Sequence, residues 1–412
     1  MSSIKFLDKT FDSLAKFIQY IENEINSGCD VNIQDTNGNT FLIALLNSDT
    51  NWECYDILGI VKLLIDSGVN INIKNNYGWT ALILASCYSN SESSLEIVKL
   101  LIDSGADVNI RCYNGFTALM LASKRSNTDS SLGTVKLLID SGADVNIRSN
   151  NDVTALRDAS RYSNTSSSLE TVKLLINSGA DVNMRCKKGF TALMISCANS
   201  NTSSSLETVK LLINSGADVN VRCKNGFTAL IFASQYSNTS STLETVKLLI
   251  DSGCDVNIMN FAGDTCLNYL VRFSKSLDVI KTVISKNGIV NHLTKIPDEN
   301  KSLKQYNGNS LLHWCCIGIK EKTSSYEILR FLETLDIDKT LKNGEGKRYL
   351  DYLHTCYYVS TRCEICYTEN TIMAVLNCSC NCGRQCIDCA YKLDKCSYCK
   401  KTFEGFKIIK MV

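Results

Sequence analysis

Histidine is scarce: among 412 residues there are His292, His313 and His354, far apart in the chain. That leaves no material for a Ser-His or Cys-His catalytic pair or a helical His-Glu-x-x-His zinc site, and no phosphate-binding glycine loop or nucleophile elbow occurs either. Apolar runs fall short of the ~18 residues that a membrane-crossing helix needs, so no membrane contact is expected. Net charge is nearly absent, with 43 basic against 42 acidic residues, which offers no overall field for a nucleic-acid backbone or an anionic lipid surface. Proline occurs once, at Pro297, amid abundant Asn, Ser, Ile and Lys, a bias of AT-rich genomes rather than of a mechanism. The chain opens without a signal-peptide pattern, so a cytoplasmic, reducing location is expected.

Cysteine, by contrast, is plentiful: nine of the 21 fall between Cys363 and Cys399, while twelve are scattered elsewhere. The cluster reads Cys363-x2-Cys366, Cys380-x-Cys382, Cys386-x2-Cys389 and Cys396-x2-Cys399, with Cys378 left over. Two thiolates separated by a tight turn reach one metal, so four pairs suit two closed tetrahedral sites, which implies two Zn2+ ions in a structural role. So short a segment cannot fold on apolar burial alone; zinc, at on the order of 10 kcal/mol per site, would supply the fold. Disulfides do not suit a reducing compartment. Cys363 to Val412 carries seven Lys/Arg and five Asp/Glu; eight thiolates and two Zn2+ would bring the segment to about −2, which repels phosphate and argues against a nucleic-acid module.

The order of these pairs resembles a RING finger, especially the compact C-terminal type of inhibitor-of-apoptosis and mind-bomb-like proteins. The resemblance implies a cross-brace, with Cys363, Cys366, Cys386 and Cys389 on one zinc and Cys380, Cys382, Cys396 and Cys399 on the other. Cys382 stands where RINGs usually have His; the alternative second pair is Cys378 with Cys380. The resemblance also assigns Ile365 and Leu393 to contact with a ubiquitin-conjugating enzyme and Lys400 to contact with ubiquitin. Ser397 replaces the Pro usual in active RINGs. The tail from Phe403 to Val412 alternates apolar residues, and in similar C-terminal RINGs such a tail makes a homodimer.

Upstream, self-similarity governs. The phrase Asn-Gly-Phe-Thr-Ala-Leu and its variants place Thr40, Thr80, Thr117, Thr154, Thr191, Thr228 and Thr265, then Ser310, at spacings of 40, five times 37, and 45. Each phrase leads into one apolar helical stretch, then a second that ends in Ser-Gly-Ala-Asp-Val-Asn, where Gly142 and its equivalents can terminate the helix. Two short helices and a hairpin form a stacking module whose neighbours cover its apolar face. These residues resemble the ankyrin repeat over roughly residues 1 to 353. The whole then reads as mostly α, an ankyrin-repeat solenoid at 1–355 of about eight repeats plus partial caps, followed by a small zinc-bound α+β RING-like module at 356–412. Compared with the usual period near 33, most units carry four extra residues between their helices. The expected histidine survives only as His313, and Asp152 replaces a turn glycine, predicting a strained or differently shaped hairpin.

The extra residues read Ser-Asn-Thr-Ser-Ser-Ser at Ser163 to Ser168 and Ser200 to Ser205. Ser93, Ser167, Ser204 and Ser241 each sit three before a glutamate, the pattern of a capping box. Arg111, Arg148, Arg185 and Arg222 recur at the hairpin tips with Lys187, Lys188 and Lys224. They could form a basic ridge for an acidic partner, or a balanced edge neutralised by Asp107, Asp144, Asp181 and Asp218. Inner-helix ends Tyr88, Arg125, Tyr162, Asn199 and Tyr236 could share the partner surface. Phe11 to Ser27 reads as a lone capping helix, 287–307 as an irregular connection, and Asp338 to Leu353 as the opening of a ninth unit.

Together the resemblances imply a ubiquitin ligase that binds a target protein on its repeats and recruits a charged conjugating enzyme through its RING. The alternative is a non-catalytic adaptor whose zinc module caps or dimerises the repeats. Composition and insert-bearing repeats also resemble the ankyrin proteins of giant DNA viruses of amoebae, which would make the target a host protein.

Overall fold

The structure is a computed structural model that describes residues 4–6, 9–47, 57–295 and 307–354. The cysteine-rich segment and Pro297 lie outside the described residues, and so does the α+β module expected there. Among the described residues the chain is helical apart from one antiparallel pair, β1 (Ile4–Phe6) and β2 (Lys9–Phe11), with Ile4 opposite Phe11. It divides into two compact units, residues 1–224 and 225–412.

In the first unit, α1 (Leu14–Asn26) follows the strands and buries Leu14, Phe17 and Ile21, the lone capping helix expected there. Phe6 closes this end, its ring 4.4 Å from that of Phe41. Five helix pairs follow: α2 (Phe41–Leu46) with α3 (Ile57–Asp66), α4 (Ala81–Cys87) with α5 (Glu92–Asp103), α6 (Ala118–Arg125) with α7 (Leu132–Asp140), α8 (Ala155–Arg161) with α9 (Leu169–Asn177), and α10 (Ala192–Ala198) with α11 (Leu206–Asn214). The first helix of each pair is too short to persist alone. Its repeated threonine is the N-cap: Thr117 Oγ1 accepts from Met120 N at 3.3 Å and Thr191 Oγ1 from Met194 N at 3.3 Å, a contribution of about 1 kcal/mol per helix. The second helix buries one stripe, for example Val135 and Leu138, then Val172 and Leu175, all at 0% exposure. Each buried leucine contributes roughly 1.5–3 kcal/mol, so stacking rather than propensity holds the unit together.

Between pairs the chain runs out to a tight turn. Cys112 N donates to Phe116 O at 2.9 Å and Gly115 N to Cys112 O at 2.8 Å. Successive tips are joined through the backbone, Tyr113 N to Tyr77 O at 3.2 Å, Asn150 N to Asn114 O at 3.0 Å and Lys187 N to Asn151 O at 3.3 Å. Gly115 has φ +81°, and a Cβ there would meet Asn150 N at 2.6 Å, so both conformation and space demand glycine. Asp152, which replaces it one unit later, keeps the same turn by adopting φ +57°. The hairpin is therefore not reshaped; a left-handed aspartate, at about 1 kcal/mol, replaces the glycine, and Arg148 Nε lies 3.4 Å from its Oδ1.

The serine-rich inserts correct the capping expectation by one residue. The N-caps are Ser168, Ser205 and Thr242, each accepting from the backbone N of a threonine three residues on, and not Ser167, Ser204 or Ser241. The shift is two residues at α5, which is capped by Ser91 with Ser94 rather than by Ser93 with Glu96. The reason is that the serine before the cap is buried against the preceding unit: Ser167 Oγ donates to Ser123 O at 2.7 Å and Ser204 Oγ to Ser160 O at 2.8 Å. Glu170 and Glu207 turn outward to Lys173 and Lys210. Ser163 Oγ, at the start of the insert, lies 2.7 Å from Thr208 Oγ1 of the next unit, and Asn164 Nδ2 donates to Thr202 O at 3.0 Å. The four additional residues thus form an inter-unit fastener.

The second unit repeats the plan with α12 (Ala229–Gln235) and α13 (Leu243–Asp251), α14 (Cys266–Phe273) and α15 (Leu277–Ser285), and α16 (Leu311–Lys320) and α17 (Tyr326–Thr334). A further turn at Asn343 and α18 (Asp351–His354) match the expected opening of another repeat. His313 is buried between Ser310 Oγ at 2.8 Å and Lys347 O at 3.0 Å, tying α16 to that turn. One residue breaks the pattern: Asp264 occupies the position held by Phe116, Phe190 or Phe227 elsewhere and is 5% exposed. Its carboxylate accepts from Thr294 Oγ1 at 2.6 Å, and Thr294 Oγ1 accepts from Trp314 Nε1 at 2.9 Å. Burial nevertheless pushes its pKa up to about 6.

Candidate protein-binding surface

In the first unit the stack places Arg111, Arg148 and Arg185 in a row at the hairpin bases, all exposed. Each also serves the stack. Arg111 Nε donates to Gly115 O at 3.3 Å, while Arg148 and Arg185 donate through Nη2 to Arg185 O and Arg222 O, both at 2.6 Å. Charge remains at this edge, but one donor of each arginine is engaged with backbone. The aspartates four residues earlier do not turn to these arginines: Asp107, Asp144 and Asp181 accept from the backbone N of Asn109, Asn146 and Asn183 at 2.8–2.9 Å. Lys187 and Lys188 are exposed at a tip, and Tyr77 and Tyr113, both 64% exposed, crown the tips earlier in the row.

Sequence reasoning passed over the asparagine that closes each Asp-Val-Asn. Asn109 Nδ2 donates to Gly142 O at 3.1 Å and its Oδ1 accepts from Asp144 N at 2.8 Å. Asn146 grips Gly179 O at 3.0 Å and Asp181 N at 2.9 Å, and Asn183 grips Gly216 O and Asp218 N in the same way. The signal was present in the asparagine's return at the same register, Asn72, Asn109, Asn146, Asn183 and Asn220.

The inner-helix ends form a second locus. Arg125 lies over the Tyr88 ring at 5.4 Å and pairs with Asp129 at 3.2 Å. Lys124 and Arg161 both lie over the Tyr162 ring, each at 5.3 Å. Asn199 instead folds back, its Nδ2 donating to Ile195 O at 2.8 Å. Tyr236, in the second unit, ends α12. Beside this locus Arg157 Nη1 lies 3.4 Å from Asp158 Oδ1, with side chains 14% and 12% exposed. Burial raises the pKa of Asp158, opposed by Arg157, Lys124 and Arg161.

For metal chemistry, no group of three or more His, Cys, Asp or Glu is placed to hold an ion among the described residues. The predicted zinc ligands Cys363, Cys366, Cys380, Cys382, Cys386, Cys389, Cys396 and Cys399, and the contact residues Ile365, Leu393 and Lys400, lie outside the described residues. Cys112, Cys186 and Cys223 are free thiols. Burial drives the thiol of Cys315 up to about 12 and that of Cys266 further. Among the described residues no helix is long and apolar enough to cross a membrane.

Against known proteins, the family model "Ankyrin repeats (3 copies)" matches residues 12–112, 90–186 and 163–260, together more than half of the chain. Over 82 residues the chain is 34% identical to an ankyrin repeat protein of Rickettsia felis, a stretch that is 19% of this chain and 32% of that protein. The chain thus matches about a third of that relative's length. With the threonine-capped inner helices, the glycine-ended outer helices and the outreaching turns already described, this match means that the chain belongs to the ankyrin-repeat proteins.

Proposed function

We propose that the chain is a RING-type ubiquitin ligase whose ankyrin repeats hold a target protein while the segment from Cys363 to Cys399 recruits a ubiquitin-charged conjugating enzyme. Protein–protein interaction follows from the ankyrin repeats themselves. The finer reading is carried by one observation, the four cysteine pairs with Cys-x-Cys, x3, Cys-x2-Cys at their centre. Eight thiolates are soft donors suited to two closed zinc sites. The zinc would supply fold rather than chemistry. Ile365 and Leu393 would seat the conjugating enzyme, Lys400 would steady its ubiquitin, and the repeats would hold a substrate lysine near the thioester, so that catalysis is positioning.

Autoubiquitination with a panel of conjugating enzymes tests this. Activity in the native chain that is lost in Ile365→Ala and Lys400→Ala supports it; an inactive native chain that binds two zinc ions overturns the ligase reading. Ser397, standing where active RINGs have Pro, favours the second reading, an adaptor in which the zinc module caps or dimerises the repeats. Deleting Phe406 to Val412 and measuring molar mass by light scattering tests the dimer.

A further inference from the structure

In four successive inner helices of the first unit, the seventh position is Cys87, Lys124, Arg161 and Ala198, and the fourth is Leu84, Leu121, Asp158 and Ile195. Charge is thus concentrated on two adjacent helices, α6 and α8, and the residues flanking them at these registers are apolar. Placing Asp158 where the neighbours carry leucine or isoleucine costs desolvation, and the Nε of Arg157 is buried without a hydrogen-bond partner. A fold that needed only to stack would gain by an apolar residue at both positions, as Met120 and Leu121 demonstrate one unit earlier.

These charges form one arrangement. Asp158 is the inward counter-charge of Arg157, Lys124 and Arg161, which keeps the three cations on one patch. Outside it, Lys124 and Arg161 rest on opposite-helix and own-helix contacts with Tyr162, and Arg125 on Tyr88, which is 40% exposed. Among the described residues neither Lys124 nor Arg161 makes an ion pair. A guanidinium lying on a ring keeps its edge N–H groups directed outward, in the fork that matches a carboxylate. Four cations stand against the carboxylates of Asp129 and Asp158, an excess of +2 in a chain whose net charge is +1.

We propose that this patch receives an acidic segment of the target protein, with Asp or Glu carboxylates seated on Lys124, Arg125 and Arg161 and an apolar or aromatic neighbour against Tyr88 and Tyr162. Asp158 and Arg157 position the cations and do not touch the partner. The proposal rests on the target-binding half of the ligase reading and is independent of ubiquitin transfer.

The test uses the full chain and a fluorescein-labelled 20-residue peptide of glutamate with interspersed tyrosine, followed by anisotropy. Binding is expected to weaken with salt and to fall about tenfold or more in Lys124→Gln with Arg161→Gln, because two seated charge pairs are lost. Lys187→Gln with Lys188→Gln, which removes as much charge from a hairpin tip, leaves binding unchanged. Lys124→Glu with Arg161→Glu exchanges preference toward the matching lysine-tyrosine peptide, a gain that damage to the fold would not produce; circular dichroism establishes folding of each variant. Equal loss in the tip variant, unchanged binding in the patch variants, or equally tight binding of a charge-matched single-stranded oligonucleotide overturns the proposal. Autoubiquitination unaffected by Lys124→Gln with Arg161→Gln separates failure of this patch from failure of the ligase reading.

Discussion

Asp264→Asn should stabilise the second unit at neutral pH and do nothing near pH 4. The native carboxyl titrates at about 6 against an ordinary 3.8, chiefly because burial penalises its charge. Between these values the native chain holds a proton that the unfolded chain has released, so stability falls as pH rises through that window. A difference of about two pH units at ~1.4 kcal/mol each is about 3 kcal/mol lost by pH 7. Asparagine keeps an oxygen to accept from Thr294 Oγ1, so the existing hydrogen bond at 2.6 Å survives while the charge does not. Trp314 donates to the same threonine and is a local reporter. Urea unfolding followed by Trp314 fluorescence, in a Trp52→Phe, Trp79→Phe background, should show wild type and variant coinciding at pH 4 and diverging toward about 3 kcal/mol by pH 7.5. A gain of the same size at both pH values, or a loss at pH 7.5, would refute the argument.

Asn146→Ala removes both hydrogen bonds to the next unit and should cost about 1–2 kcal/mol, read as faster amide exchange at Asp181 and its neighbours. In native protein, iodoacetamide should label Cys29 and Cys186 and spare Cys266 and Cys315, whose thiols are buried with raised pKa; mass spectrometry of the alkylated chain reports it. Under the ligase reading, elemental analysis should find two zinc ions per chain. Chelation should abolish ubiquitin transfer yet leave far-UV ellipticity nearly intact, since the helices are drawn from the repeats.

The stack was legible because its information is periodic. From Thr80 to Thr265 a threonine every 37 residues marks the start of an inner helix, and from Thr80 to Thr228 the following Ala-Leu opens it. The capping serines were misplaced by one because Ser166, Ser167 and Ser168 are chemically alike, and the preceding unit's carbonyl decides which is buried and which caps. The asparagine clamps were hidden because an Asn in a turn already has a local explanation, whereas its actual partners lie 33 and 35 residues on. The basic patch was half visible: Arg125 and Tyr162 were singled out, but Lys124, Arg157 and Arg161 acquire meaning only when α6 lies against α8. Asp264 gives no periodic signal, because it falls at the variable middle of the Gly-x-Thr frame and its partner Thr294 lies 30 residues on.

The asparagine clamp recurs joint after joint in the first unit, and that has a genetic corollary. Asn109 holds Gly142 and Asp144 in the geometry with which Asn146 holds Gly179 and Asp181. Excision of residues 110–146 would bring Asn109 face to face with Gly179 and Asp181, and the joint would re-form. Unequal crossing-over within so repetitive a coding stretch can therefore lengthen or shorten the array in whole steps without a poorly fitting seam, which lets the reach of the recognition surface drift while each retained module stays intact.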